Sequence, residues 1–270
     1  MSRRAVLWGA FVAMHVLTAA LGFVLPSEPM GDVYRVYEPW SLAALQGHQV
    51  VGIDSVWVYP QLALAPMVLA HSLSWIGGYT LGWAILVTAA DAAVFAVLVG
   101  NARSAGRVRA AWFWLASIAL LGPVGLYRLD GLTVPLVILA CLWLVGRPWA
   151  AAIVLAAATW MKVWPAAILV AAVIAVRRRL ALVGGAVVLS ILVIAAVLIA
   201  GGSKFLFGFI TDQAGRGLQV EAPVSAFYLW QAAFEVPGST IYYDYDMLTF
   251  QVTGPQVDVL IAVMTPLLVV

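Results

Sequence analysis

Long apolar segments alternate with short polar ones along the chain, and this pattern predicts a bundle of membrane helices. An α-helix needs roughly 20 apolar residues to cross a bilayer. Eight segments are interpreted as transmembrane helices, at 5–25, 79–100, 110–125, 132–145, 149–160, 165–176, 180–200 and 255–270. The shorter ones fit a crossing where a helix packs on protein or lines a cavity. Because the last segment is short, we expect the chain to be incomplete at its C-terminus.

Composition excludes a soluble globular protein. Hydrophobic residues make up 64% of the 270 residues and charged residues only 10%, against about 25% charged in soluble domains. The single cysteine, Cys141, excludes an internal disulfide. The sequence therefore predicts an all-α polytopic membrane protein with a single transmembrane domain over 1–270.

The segment 59–76 is apolar, but the distribution of charge argues against a ninth crossing. If it crossed, the basic loop 101–109 would lie on the side opposite Arg3 and Arg4, against the positive-inside rule. If it lies along the interface as a juxtamembrane helix, nine of the 14 basic residues become cytoplasmic: Arg3, Arg4, Arg103, Arg107, Arg109, Arg147, Arg177, Arg178 and Arg179. Ten of the 12 acidic residues then lie outside. We adopt this second arrangement.

This topology places the N-terminus in the cytoplasm and the polar loops outside the plasma membrane. A long first outer loop covers about 26–79 and carries the juxtamembrane helix, and a second covers about 201–254. Short outer turns lie around 127–131 and 161–164. Any active site is therefore expected at the outer face.

Two carboxylates of the first loop are candidates for chemistry, because ionisable residues near the membrane interface are often functional. Asp32 follows the first helix closely, and its alternative role is to cap a helix N-terminus. Glu38 would face away from Asp32 on a helix. Arg35 is expected to form a solvated ion pair with one of the two.

Cations occur in three different outer segments. Arg128 and Lys162 occupy the two short turns, and each suits a phosphate. Lys162 stands between two tryptophans, so an interfacial anchor is the alternative reading. Arg216 stands between glycines, followed by Gln219 and Glu221, as a sugar phosphate would require, although a plain turn is equally compatible. We expect the three cations to converge on one phosphate.

Two further features bear on the chemistry. Asp91 lies inside an apolar helix and is interpreted as a helix–helix hydrogen-bond or protonated site, with a proton relay as the lesser alternative. His15, His48 and His71 show no spacing of metal ligands. No metal and no cofactor are therefore predicted, and no nucleic-acid partner.

Five short segments occur in order and span most of the chain: Asp32-Val33-Tyr34 through Tyr37, Trp57-Val58-Tyr59-Pro60-Gln61-Leu62, Arg128-Leu129-Asp130, Lys162-Val163-Trp164-Pro165, and Arg216 to Glu221. In these segments the chain resembles the GT-C glycosyltransferases, and within them the family 87 polyprenol-phosphate-mannose-dependent α-mannosyltransferases of actinobacteria. The resemblance implies a GT-C-like transmembrane helix bundle. Members of the family extend further, with more helices after the second outer loop.

The resemblance also implies a mechanism. A sugar, expected to be mannose with arabinofuranose as the alternative, would pass from a polyprenyl-phosphate donor to a lipid-linked or glycan hydroxyl, with inversion. Asp32 would be the general base, and Arg128, Lys162 and Arg216 would bind the donor phosphate. The sugar and acceptor would contact a further set of residues: Tyr34, Tyr37, Trp57, Tyr59, Gln219 and Glu221.

Two other classes of function stay open at this point. A transporter or flippase of lipid-linked sugars would also be polytopic with cationic outer loops, and it would place charged or broken-helix features near the bilayer midplane. Only Asp91 fits that pattern. A non-catalytic membrane scaffold is the second alternative, and it should tolerate loss of Asp32.

Overall fold

The chain forms two compact units, residues 1–209 and residues 210–270. The structure is a computed structural model that describes residues 2–211, 217–245 and 249–267. Each unit is described by itself below. The single transmembrane domain and the eight crossings expected from the sequence stay predictions.

Helices make up the first unit. In chain order they are α1 (Arg3–Val24), a π-helix (Val33–Tyr37), α2 (Glu38–Leu45), a 3-10 helix (Gln61–Ala63), α3 (Leu64–Ala70), a second 3-10 helix (His71–Ile76), α4 (Tyr79–Val99), α5 (Ala105–Tyr127), α6 (Asp130–Trp143), α7 (Pro148–Met161), α8 (Pro165–Ala175), α9 (Arg179–Ile199) and a third 3-10 helix (Ser203–Phe205). A short helix, α10 (Gly208–Thr211), follows at the boundary between the units.

Four of these helices, α1, α4, α5 and α9, are long and apolar enough to cross a membrane. Each has 21 to 23 residues, close to the roughly 20 that a bilayer requires. The prediction of an all-α membrane protein is confirmed. Serine residues cap two of the N-termini: Ser2 accepts a hydrogen bond from the backbone of Ala5 at 3.2 Å, and Ser104 accepts one from Arg107 at 3.5 Å.

Helices α6, α7 and α8 are apolar but shorter, with 11 to 14 residues each. Proline begins α7 and α8, where the missing N–H would lack a helical partner in any case. Helix α7 packs against α6, α8 and α9. Its buried side chains are largely alanines, such as Ala151 and Ala152, and small residues let membrane helices approach closely.

The segment predicted to lie along the interface is broken into three helical pieces. Gln61–Ala63 and His71–Ile76 are 3-10 turns, and α3 between them has only seven residues. The 16 residues fall short of a bilayer crossing. The turn His71–Ile76 and α3 pack against α4, whereas Gln61–Ala63 packs against α7 and α9.

We therefore predict that residues 59–76 do not cross the membrane. Single cysteines at Ser55 and Ser104, in a Cys141→Ala background, should then label from opposite sides with a membrane-impermeant maleimide. Ser55→Cys should react on intact cells, and Ser104→Cys only after permeabilisation. Labelling of both from one side would mean that the segment spans.

A polar cluster joins three of the long helices. Asp91 on α4 is 0% exposed and accepts hydrogen bonds from the Trp114 indole of α5, at 2.8 Å to Oδ1 and 3.1 Å to Oδ2. His15 on α1 lies with Nε2 3.1 Å from Asp91 Oδ2, and its Nδ1 donates to the Phe11 carbonyl at 2.9 Å. The predicted helix–helix hydrogen bond of Asp91 is confirmed.

Substitution of Asp91 by alanine is expected to destabilise the helix bundle. The change removes the acceptor for Trp114 and the partner of His15, and hydrogen bonds between membrane helices contribute about 1–2 kcal/mol. The free energy of unfolding in detergent should fall by about that amount. Trp114→Phe, which removes the indole donor and part of the ring system but leaves the contact between Asp91 and His15, should have a smaller effect. An unchanged unfolding midpoint for Asp91→Ala would contradict a stabilising role.

The second unit contains a small antiparallel sheet. Its described elements are β1 (Leu218–Gln219), α11 (Ser225–Ala233), β2 (Thr240–Asp244), β3 (Thr249–Thr253) and α12 (Val257–Leu267). The strand order is β1-β3-β2, with Tyr242 opposite Gln251. Buried Gln251 accepts from the Tyr242 hydroxyl at 3.1 Å and donates to Asp244 at 2.7 Å. The interpretation of 201–254 as a loop missed this sheet, although β-branched and aromatic residues are typical of strands.

Candidate active site

The turn between α5 and α6 is the centre of the candidate site. Helix α5 contains a kink at Gly122, where φ is +61°, followed by Pro123. Proline cannot donate the helical hydrogen bond, so the helix changes direction before its last turn. The helix ends at Tyr127, Arg128 is extended, and α6 begins at Asp130.

Close packing fixes the backbone of this turn. A Cβ on Gly131 would overlap the carbonyl oxygen of Leu126, so the turn accepts only glycine without a shift. The Trp83 indole of α4 donates to the Tyr127 carbonyl at 2.7 Å. The backbone N–H of Leu129 donates to the Tyr37 hydroxyl at 3.2 Å. Hydrogen bonds with two other segments therefore hold the turn on both sides of Arg128.

Arg128 forms an ion pair with Asp32. Its Nε lies 3.2 Å from Asp32 Oδ2, and the two side chains are 35% and 30% exposed. The residues are far apart in sequence, one just before the π-helix and the other at the end of α5. The structure thus joins the predicted base to one of the predicted phosphate ligands. The Asp32 side chain makes no helix-capping hydrogen bond, so its alternative role as an N-cap is wrong.

Lys162 forms a second ion pair at the same turn, with Asp130. The side chains are 34% and 32% exposed. The Trp164 indole donates to the other carboxylate oxygen, Oδ1, at 3.1 Å. Asp130 was not among the predicted site residues. The Arg-Leu-Asp sequence of the turn shows a carboxylate beside Arg128. The sequence does not show that Lys162, 32 residues later, is the partner of that carboxylate.

Four charges of alternating sign therefore meet around one turn: Asp32, Arg128, Asp130 and Lys162. Arg128 and Asp130 are two residues apart, so the two ion pairs are neighbours. Among the predicted phosphate ligands, Arg128 and Lys162 are brought to this turn. Arg216 lies outside the described residues, and the convergence of all three cations stays a prediction.

The Tyr59 hydroxyl is close enough to this cluster to respond to its charges. Burial and the negative charge of Asp32 raise the pKa of Tyr59, while Arg128 opposes them. Burial also raises the pKa of Tyr37 well above its usual value, and the nearby Tyr59 and Asp32 raise it further. Both phenols therefore stay protonated near neutral pH. The role of Asp32 as a base stays a prediction.

The predicted sugar-contacting residues occupy different environments. Tyr37 is 1% exposed and Trp57 is 3% exposed, and Tyr59 packs edge-to-face against Trp57 with ring centroids 5.6 Å apart. Tyr34 instead lies beside Arg35, whose guanidinium is 5.7 Å from the ring centroid. Burial raises the pKa of Tyr34, and the neighbouring Glu28 raises it further. The roles of these four residues stay predictions.

The second unit holds the two remaining predicted contacts. Gln219 lies in β1 opposite Gln251 of β3. Glu221 follows the strand and is exposed. Their proposed contact with sugar or acceptor stays a prediction.

The structure corrects one predicted pairing in the first loop. Arg35 pairs with Glu28, and both side chains are largely exposed; the expected partners Asp32 and Glu38 are not used. Glu38 instead acts electrostatically on His71, whose pKa is lowered by burial and partly restored by Glu38. The two candidate carboxylates therefore face different surroundings, as predicted for residues six apart on a helix.

A comparison of the sequence with models of protein families gives a match that includes the α5–α6 turn. The model of glycosyltransferase family 87 matches residues 57–241, about two thirds of the chain. The chain belongs to glycosyltransferase family 87. It is therefore a membrane glycosyltransferase. No curated protein and no solved structure matched the chain in the corresponding searches.

The family 87 match covers both short turns of the candidate site. Arg128, Asp130 and Lys162 lie within it, as do Trp57 and Tyr59. Asp32 lies before the matched residues and is connected to them by its ion pair with Arg128. Within 2–211, 217–245 and 249–267, no three His, Cys, Asp or Glu side chains are grouped as a metal site. A metal-free site stays a prediction.

Proposed function

We propose that this family 87 glycosyltransferase moves a sugar, mannose or alternatively arabinofuranose, from a polyprenyl-phosphate donor to a lipid-linked or glycan hydroxyl. The observation that carries the proposal is the placement of Asp32 against Arg128 at the turn that also holds Lys162. A base and two cations are the groups that transfer from a phosphate leaving group requires.

The Asp32 carboxylate acts as general base. It accepts the proton of the acceptor hydroxyl while that oxygen forms a bond to the anomeric carbon. An alcohol becomes a competent nucleophile only as its proton is removed. Arg128 fixes the carboxylate through the 3.2 Å contact, so its orientation is set before the acceptor binds.

The bond between the anomeric carbon and the donor phosphate oxygen breaks as the new bond forms. Its electron pair stays on the phosphate, which leaves as polyprenyl phosphate. Lys162 and Arg128 stabilise the charge that develops there, with Arg216 as the third cation proposed. A direct displacement with one carboxylate inverts the anomeric configuration, by the single-step logic of inverting glycosidases.

We place this reaction at the outer face of the plasma membrane. The support is the asymmetric distribution of charge, with nine basic residues assigned to the cytoplasmic side. The turns that carry Arg128 and Lys162 are then outside, where lipid-linked donors and envelope acceptors meet.

The test is a transfer assay in membranes that contain the full chain. Radiolabelled polyprenyl-phosphate mannose and polyprenyl-phosphate arabinofuranose are compared with a nucleotide sugar as donor. Label should pass from one of the polyprenyl phosphates to lipid or glycan, and the Asp32→Ala protein should not transfer it. Transfer from the nucleotide sugar alone would overturn the proposed donor class.

A further inference from the structure

The Lys162 ammonium lies against the Asp130 carboxylate. Helix α7 ends at Met161, and the backbone of Lys162 is extended, with φ −153° and ψ 138°. Beyond the backbone, a lysine ammonium is carried on a flexible four-carbon stem. The ion pair with Asp130 is the contact that brings this ammonium to the α5–α6 turn.

Asp130 is itself held in place from two directions. It is the first residue of α6, where the helix dipole favours a negative charge. The Trp164 indole donates to Oδ1 at 3.1 Å, which leaves Oδ2 directed at Lys162. Trp164 precedes the proline that begins α8, so a rigid helix start supports the indole.

We infer that Asp130 is a positioning residue of the donor-phosphate site and acts through Lys162. An ammonium has three N–H donors, so Lys162 can keep its bond to Asp130 while it donates to a phosphate oxygen. Asp130 thus fixes the ammonium at the α5–α6 turn, which also carries Arg128, in advance of donor binding. This inference rests on the proposed function of Lys162 as a phosphate ligand.

The competing explanation is an ion pair that only joins α6 to the turn after α7. A pair with both side chains about one third exposed contributes little to stability. Stability measurements alone would therefore not separate the two explanations. The two explanations differ in whether a substitution of Asp130 still affects transfer when Lys162 is absent. If Asp130 acts by positioning the Lys162 ammonium, its substitution has no effect on transfer once that ammonium has been removed.

The experiment is a double-mutant cycle on kcat/KM for the polyprenyl-phosphate donor, measured in membranes with the full chain. Asp130→Asn in the wild-type background should lower kcat/KM by about tenfold, since the amide lacks the charge that holds the ammonium. In the Lys162→Met background the same substitution should leave kcat/KM unchanged within twofold, or raise it by removing an unpaired carboxylate. Trp164→Phe should show the same dependence on Lys162, with a smaller loss of about threefold.

Different results overturn different statements. If Lys162→Met alone leaves kcat/KM unchanged, the proposed phosphate role of Lys162 fails. If Lys162→Met lowers kcat/KM but Asp130→Asn does not, or if the two losses multiply independently, the positioning role of Asp130 fails. Should Asp130→Asn not accumulate as folded protein, the Trp164→Phe arm of the cycle decides.

Discussion

Asp32→Asn is expected to reduce the turnover number of sugar transfer by about 100-fold or more. Asparagine keeps the size of the side chain and can still accept a hydrogen bond from Arg128, but it cannot take the proton of the acceptor hydroxyl. Loss of a general base lowers rates by about 10²–10⁴-fold. The Asp32–Arg128 pair is partly exposed, so we expect stability to fall by less than about 1 kcal/mol. Single-turnover transfer and thermal unfolding are measured on the same preparation.

Glu38→Gln is the matched control for this prediction. Glu38 is in the same loop, but its charge acts on His71 and not on the phenols beside Asp32. Transfer by Glu38→Gln should stay close to wild type. A reversed result, with Glu38→Gln inactive and Asp32→Asn normal, would assign the base to Glu38. Normal transfer by both variants would exclude both Asp32 and Glu38 as the base.

Lys162→Met is expected to raise the KM for the donor by about 10- to 100-fold. Methionine keeps most of the apolar stem and removes the ammonium. A hydrogen bond to a charged group contributes about 1.5–3 kcal/mol, and about 1.4 kcal/mol corresponds to a tenfold change in affinity. The acceptor KM should change little, because the ammonium is assigned to the phosphate. Initial rates at varied donor concentration measure the effect.

The chain offers a matched lysine for comparison. Lys204 lies in the 3-10 helix after α9, with its ammonium 5.3 Å from the centroid of the Phe205 ring. Lys204→Met removes the same charge from the chain at a place that the candidate site does not use. Equal rises in donor KM for both variants would indicate a general electrostatic effect and would remove Lys162 from the site.

The sequence predicted several charged residues of the candidate site, because they stand at the ends of apolar segments. Asp32 follows the first segment, and Arg128 and Lys162 stand in short turns between later ones. Charged residues are expelled from apolar segments, so they collect at the ends of helices. The pairing of these charges was not predictable. Arg35 has Glu28 as its partner, and a preference for spacings of three or four residues pointed elsewhere.

Asp130 illustrates what the sequence leaves open. The positive charge of Arg128 made it a predicted phosphate ligand. An acidic residue at the start of a helix, such as Asp130, is already explained by its favourable interaction with the helix dipole. Its importance depends on Lys162 and Trp164, which arrive from the turn after α7. Tyr37 is similar: the family resemblance implied a contact with sugar, and the structure adds that its hydroxyl accepts a hydrogen bond from the backbone of Leu129.

The sequence by itself determined that this protein is helical and lies in a membrane, because apolar length and the exclusion of charge are properties of each segment alone. It also determined which ionisable residues stand at the helix ends. The tertiary structure decided that Asp32 meets Arg128 and that Asp130 holds Lys162. These contacts depend on how helices pack side by side, on the kink at Gly122 and on the close approach at Gly131. Packing of that kind arises from complementary shapes on segments distant in sequence, and no local pattern encodes it.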